Sequence, residues 1–272
     1  MAKPRTVPAD HPPFTALPVQ MIAVGHASEQ MAVHVAGHLY AGRVPLICVP
    51  GYQRNMTDYA EFARLMRRAD STTPIVLLDL KGRGRSSDRR RHIAYSSLND
   101  AADLAEIVRA LAIERAIFVG QGYGGQVLMA LAAKTPSMIA GSVLIDAGPV
   151  TDTRGLVRLR GTLDDLEGVR SAQGIRGMLR RMQASEYPGL GDEALDAIAL
   201  RTHHVDKRNR AIALFDPAIV RLLDDFDFDD VLVAQWQLFD ALAAAPMMMM
   251  RTQLTQQLRR ETFDEMMRRR RD

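Results

Sequence analysis

The chain has little that would cross-link it, anchor it in a membrane or draw it to a polyanion. One cysteine, Cys48, stands among 272 residues, which excludes an internal disulfide. It lies in the apolar run 45–49 and reads as a small buried hydrophobe of a reducing compartment. With one tryptophan and an aromatic share of 6%, no face interleaves aromatic and basic residues as nucleic-acid binders do. The formal net charge is only +3, and the basicity gathers in the runs Arg89–Arg91 and Arg268–Arg271, which read as solvated surface. Residues 1–18 are rich in proline and polar groups and lack the apolar core of a secretory signal, so they are expected to be extended or disordered. No uninterrupted apolar segment is long enough to span a bilayer: the richest, 231–250, is broken by Gln235, Gln237, Asp240 and Pro246. No histidine follows His204, and His26, His34, His38 and His92 show no metal-ligand spacing. These absences predict a soluble, cytoplasmic chain that uses neither metal nor cofactor and binds neither nucleic acid nor membrane.

What is present is a large apolar fraction, 47%, enough for one sizeable core. Residues 19–25 and 30–40 alternate apolar and polar side chains and predict an antiparallel hairpin. The pattern then changes to nearly continuous apolar strands at 44–49, 74–80, 116–119 and 141–145. Between them lie helical spacings at 57–68, 98–111 (with Asn99 and Asp100 as caps) and 124–134. Strands that alternate with helices imply a mostly parallel sheet covered on both faces. Residues 150–230 break the rhythm with short helical patterns, the acidic cluster 224–230 and turn signals at Tyr187-Pro188-Gly189 and Asp216-Pro217. They predict a helical cap inserted between core segments 19–149 and 231–272. The rhythm resumes with a helix at 233–243, a strand at Met247–Met250 and a helix near 260–270.

Three segments in series, Val49-Pro50-Gly51-Tyr52, Asp79-Leu80-Lys81-Gly82-Arg83-Gly84-Arg85-Ser86 and Val119-Gly120-Gln121-Gly122-Tyr123-Gly124-Gly125, resemble the α/β-hydrolase superfamily, in particular bacterial serine hydrolases with a helical cap. The likeness covers about residues 19–270. In that family the strand-to-helix turn reads Gly-x-Ser-x-Gly, and small flanking residues let a strained backbone raise the serine hydroxyl above the sheet. Here the turn is Gly120-Gln121-Gly122-Tyr123-Gly124, so Gly122 stands in the nucleophile's place and carries no attacking oxygen; Tyr123 comes one residue too late to replace it. The resemblance assigns the oxyanion hole to the backbone N–H groups of Tyr52 and Tyr123, which depend on backbone direction and survive side-chain change. It places the triad acid at Gln256, an amide that cannot balance an imidazolium. Some relatives keep the acid one strand earlier, where this chain has Asp146. Gly51, Arg54, Asn55 and Gln121 are pocket candidates beside these positions.

In the family the catalytic histidine follows a further strand, and this sequence stops at Asp272 before such a strand and its helix. The resemblance therefore implies a degenerate triad, a missing last strand and an exposed edge at Met247–Met250 suited to pairing in a homodimer. It also implies relatives that cleave esters, lactones or related small molecules through an acyl-enzyme, and a small-molecule pocket under the cap that outlasts the chemistry. Two readings remain beside the inactive one. The oxyanion hole alone would polarise a carbonyl for attack by water. Alternatively Gly120, Gly122 and Gly125, with Asp146 further on, satisfy a dinucleotide-binding fingerprint.

Overall fold

The apolar runs around Cys48, Leu77 and Phe118 lie side by side in the middle of a seven-stranded sheet. The structure, a computed structural model, describes residues 6–40, 42–90, 92–169, 171–227, 230 and 232–270. Residues 1–5 of the N-terminal segment, Arg91 and Arg271 of the arginine runs, Phe228 and Asp229 of the acidic cluster, and Val231 and Asp272 at the edges of the second core segment lie outside them.

The chain enters through a short helix, α1 (Pro12–Thr15), whose Phe14 is buried. The described part of 1–18 is therefore not simply extended: His11 Nε2 bonds the carbonyl of Leu200 at 2.6 Å and fastens this segment to the cap. The expected hairpin forms as β1 (Gln20–Val24) and β2 (His26–Ala36), joined at Gly25 with φ 72°. Then come β3 (Leu46–Val49), a 3-10 turn Met56–Tyr59, α2 (Ala60–Ala69), β4 (Ile75–Leu78), α3 (Ser97–Ala110), β5 (Ala116–Gln121), α4 (Tyr123–Lys134) and β6 (Ile139–Ile145). The last sheet strand is the Met247–Met250 segment, and the spatial order runs β1, β2, β4, β3, β5, β6 and then that strand. From β4 onward the neighbours are parallel.

Burial on both faces explains the uninterrupted hydrophobicity of the central strands. Ile47, Val49, Val76, Leu78 and Phe118 pack with Leu104 and Val108 of α3 and Val127 and Leu128 of α4. The alternate residues Cys48, Ile75, Leu77 and Val119 pack with Ala63 of α2 and with Tyr59. The cap of α3 differs from expectation: Ser96 Oγ accepts from Asn99 N at 3.2 Å, and Asp100 is drawn inward as a fully buried carboxylate.

Residues 150–230 hold α5 (Thr153–Glu167), α6 (Ala172–Glu186), α7 (Asp192–Ala199), a hairpin of β7 (His203–Val205) and β8 (Ala211–Ala213), and α8 (Pro217–Arg221). They share a small apolar core of Leu163, Leu166, Ile175, Leu179, Phe215 and Ile219. The chain then returns through α9 (Trp236–Asp240), shorter than the helix expected at 233–243 because a 3-10 turn takes over at 241–244. Next come β9 (Met247–Met250) and α10 (Arg260–Arg269). Arg269 lays its guanidinium 4.3 Å above the Trp236 ring and bonds Asp240 at 2.9 Å, docking α10 on α9. Among the described residues β9 is the sheet's edge: Met247 and Met249 join the core, while Met248 and Met250 are 55% and 44% exposed. No described helix is long and apolar enough to cross a membrane.

Candidate active site

The turn from β5 into α4 is built by glycines that cannot be replaced. A Cβ on Gly120 would lie 2.7 Å from Gly125 N, and one on Gly124 would enter the carbonyls of Val49 and Pro50. Strand, helix and the preceding loop are thus in backbone contact. At the apex Gly122 has φ 51° and ψ −114°, a conformation that glycine adopts freely and other residues only under strain. Its N–H donates to Ile145 O at 2.8 Å, and its carbonyl accepts from Gly125 N at 3.0 Å. The backbone thus makes a tight turn whose apex carries no side chain.

The space above the apex is occupied. A Cβ on Gly122 would collide with the amide oxygen, Oε1, of Gln257. Sequence reasoning pointed at the neighbouring Gln256, but that side chain is exposed and turned onto Arg158 of α5. The structure therefore brings Gln257 rather than Gln256 to Gly122. A signal for this was hard to find, because two adjacent glutamines leave the loop by different routes.

Asp146 is 7% exposed and has φ 49°. One oxygen accepts from Thr252 N and the other from Thr252 Oγ1, each at 2.7 Å, while Asp146 N donates to Met250 O at 2.9 Å. Both carboxylate oxygens are spent on tying the end of β6 to the loop after β9. That engagement also weighs against the dinucleotide fingerprint, which needs this acid for a ribose hydroxyl.

Of the pocket candidates, Arg54 and Asn55 are held in structural roles. Arg54 makes a two-pronged pair with Asp58, both contacts 2.6 Å. Burial works against the Asp58 charge, but Arg54 and then Arg201 outweigh it and hold the carboxyl below its ordinary range. Asn55 Oδ1 accepts from Thr57 N and Thr57 Oγ1, and its Nδ2 donates to Arg201 O at 2.6 Å, so it caps a turn and grips the cap. A Cβ on Gly51 would meet Arg54 Cγ at 3.2 Å; Gln121 ends β5 beside the apex.

Tyr52 and Tyr123 pack around Arg83, a residue of the segment 79–86, to which the sequence assigns no site role. Its side chain is fully buried and its guanidinium lies 5.9, 5.4 and 5.3 Å from the ring centres of Tyr52, Tyr95 and Tyr123. Arg83 Nε donates to Tyr52 O at 2.8 Å, and Nη1 donates to Lys81 O at 2.7 Å and to Asp100 at 3.2 Å. Asp100 also accepts from Tyr123 Oη at 2.8 Å and from Arg89, and the Tyr52 and Tyr123 rings meet edge to face at 5.3 Å. Burial pushes the Tyr52 hydroxyl up to about 12, with Arg83 opposing and Asp100 adding, so it stays protonated and donates to Ile219 O at 2.9 Å. Among the described residues neither the Tyr52 nor the Tyr123 amide N–H donates within the chain. The glycine-flanked arginine of Gly82-Arg83-Gly84 was the available signal.

His203, in the cap hairpin, is buried edge to face on Phe215 at 5.4 Å, with Nδ1 3.1 Å from Thr202 Oγ1. Burial, followed by the charges of Arg54 and His204, lowers it to about 3, so it is a neutral core histidine. Among the described residues no group of three His, Cys, Asp or Glu stands ready for a metal ion. The apex, a glycine, offers no side-chain atom to attack a carbonyl.

Comparison with known proteins agrees with this architecture. A family model described as the alpha/beta hydrolase family matches residues 46–270. The chain is 28% identical over 139 residues to the 2-(acetamidomethylene)succinate hydrolase of Mesorhizobium japonicum, a match covering 51% of this chain and 48% of that one. It is 30% identical over 104 residues to the uncharacterized hydrolase YugF of Bacillus subtilis, covering 38% of this chain and 37% of that one. These matches therefore span less than half of each relative's length. A solved structure of an alpha/beta hydrolase from Novosphingobium aromaticivorans superposes with a TM-score of 0.77 at 25% identity, over 93% of this chain and 87% of that one. With the strand order in place and residues 46–270 matched by the family model, the chain belongs to the alpha/beta hydrolase family.

Proposed function

We propose that this chain is a catalytically incomplete α/β hydrolase, one that retains a site for a small carbonyl compound and does not form an acyl-enzyme. The observation that carries the reading is the apex: Gly122 supplies no nucleophile, and the amide of Gln257 fills the space a serine side chain needs. Acyl transfer in this fold depends on the nucleophile, base and acid acting as a unit, so loss of the attacking oxygen removes the covalent route whatever else remains. The amides of Tyr52 and Tyr123 do not depend on that oxygen and support binding of an ester, lactone or related group. The relative named for 2-(acetamidomethylene)succinate makes a small carboxylate-bearing compound the first ligand to try. The single cysteine, buried in β3 with its thiol pushed up by burial, supports a reducing, cytoplasmic setting.

The test is covalent. A fluorophosphonate that labels activated serines is expected to leave the protein unmodified by mass spectrometry, and short aryl esters are expected to hydrolyse at the buffer rate without a burst. Stoichiometric labelling, or turnover at the rate of an intact relative, would overturn the reading.

A further inference from the structure

The first turns of α5 and α10 and the loop after β9 border a groove of about 450 Å³ lined in part by four arginines. Arg154, Arg251, Arg259 and Arg260 face Asp152 and Glu261 in that lining, leaving an excess of two positive charges. Asp152, 5% exposed, is already engaged: it accepts from Arg154 Nε at 2.9 and 3.1 Å and from Arg259 Nε at 2.9 Å. It therefore orients two arginines and answers only part of their charge. Arg251 donates Nε to Leu258 O at 3.0 Å and Nη1 to Thr252 O at 3.4 Å, which fixes the plane of its guanidinium. Among the described residues the Nη groups of Arg259, Nη2 of Arg251 and both Nη groups of Arg260 donate to no acceptor. Arg260 is 82% exposed, and its nearest carboxylate, Asp264, is 4.0 Å away.

Guanidinium forks that line one concave space, Arg251 held by backbone carbonyls and Arg259 by a buried carboxylate, with Arg260 exposed beside them, suit paired oxyanion atoms. The N-terminal ends of α5 and α10, 15 and 10 residues long, add partial positive charge on the same side. We propose that this groove binds a small dianion, a phosphoryl group or a dicarboxylate, with Arg251, Arg259 and Arg260 as its direct partners. The proposal does not involve Gly122 and stands whether or not the elbow is inert. Binding has a consequence inside the chain. Gln256 lines the groove and the next residue, Gln257, reaches the apex, so an anion that orders this loop also holds the amide over Gly122.

The experiment titrates the full chain with inorganic phosphate, with malonate and with acetate at constant ionic strength, followed by calorimetry. At least one of the two dianions is expected to bind at millimolar concentration or tighter, and acetate more weakly. Binding of phosphate alone identifies a phosphoryl ligand, of malonate alone a dicarboxylate, and of both a generic dianion. Arg260→Glu is expected to weaken binding roughly tenfold or more, as loss and reversal of a direct charge contact does. Its exposure keeps the fold intact, which circular dichroism checks. Arg64→Glu, in an exposed pair with Glu61 on α2, is expected to leave the affinity unchanged. No binding of either dianion, equal binding of acetate, or an affinity indifferent to Arg260→Glu would overturn the proposal.

Discussion

Gly122 carries two constraints that point in the same direction. Its backbone holds a positive φ that favours glycine, and the space a side chain would need there contains the amide of Gln257. Gly122→Ser is therefore expected to lower stability by about 1–3 kcal/mol, the usual cost of a side chain in such a conformation, plus whatever Gln257 must give up in moving. Pairing it with Gln257→Ala should return part of that loss, which urea denaturation of the two variants measures. Esterase activity should stay at background in both, because the hydroxyl alone lacks an activating partner; a recovered burst would contradict this. Asp146 illustrates the limit of residue-level reading. Its place at a strand end was plain in the sequence, but its service to Thr252, more than a hundred residues away, was not.

At the scale of elements, double-sided burial marks a strand without bounding it: β4, fully covered, spans Ile75–Leu78 inside an apolar run of 74–80, whereas the half-exposed edge strand Met247–Met250 matches its run residue for residue. The hairpin β7–β8 escaped notice because each strand has three residues and His203-His204-Val205 shows no alternation. The sequence position of Asp100 allows a helix cap, but its carboxylate is bonded by Arg83 from a loop 17 residues earlier, by Arg89 and by Tyr123. That loop-to-helix link also holds Tyr52 through its carbonyl and Tyr123 through its hydroxyl. Arg83→Met should cost about 3–5 kcal/mol, since it strands the buried carboxylate of Asp100 with one guanidinium fewer. A loss below about 1 kcal/mol by thermal or chemical denaturation would show that Arg89 alone suffices. On the sheet edge, Met248→Lys should reduce self-association in light scattering with little change in stability, because the side chain already faces solvent. If scattering is unchanged, β9 is not the sticky surface.

At the scale of the whole molecule the order of layers was legible and the linkages between them were not. Periodicity reports which side of an element is buried, whereas Gln257 over Gly122 or Asn55 under Arg201 depends on how separate segments meet. One such linkage sets a global property. His203 is lowered to about 3 in the folded chain against about 6.5 when unfolded. Between those values the unfolded chain takes up a proton that the folded chain refuses. Its contribution to stability is therefore complete above about pH 6.5 and is lost as the pH falls, by up to about 1.4 kcal/mol per pH unit. Denaturation midpoints across that range should fall less steeply in His203→Phe; parallel slopes would assign the acid sensitivity to other groups. The stack of Arg269 on Trp236 has an optical consequence. As the chain's one indole, Trp236 gives the protein a built-in fluorophore at the seat of α10. A change in its emission that precedes the loss of helical circular dichroism would register the departure of the last helix as a separate event, and Arg269→Ala would supply the spectrum of the undocked state.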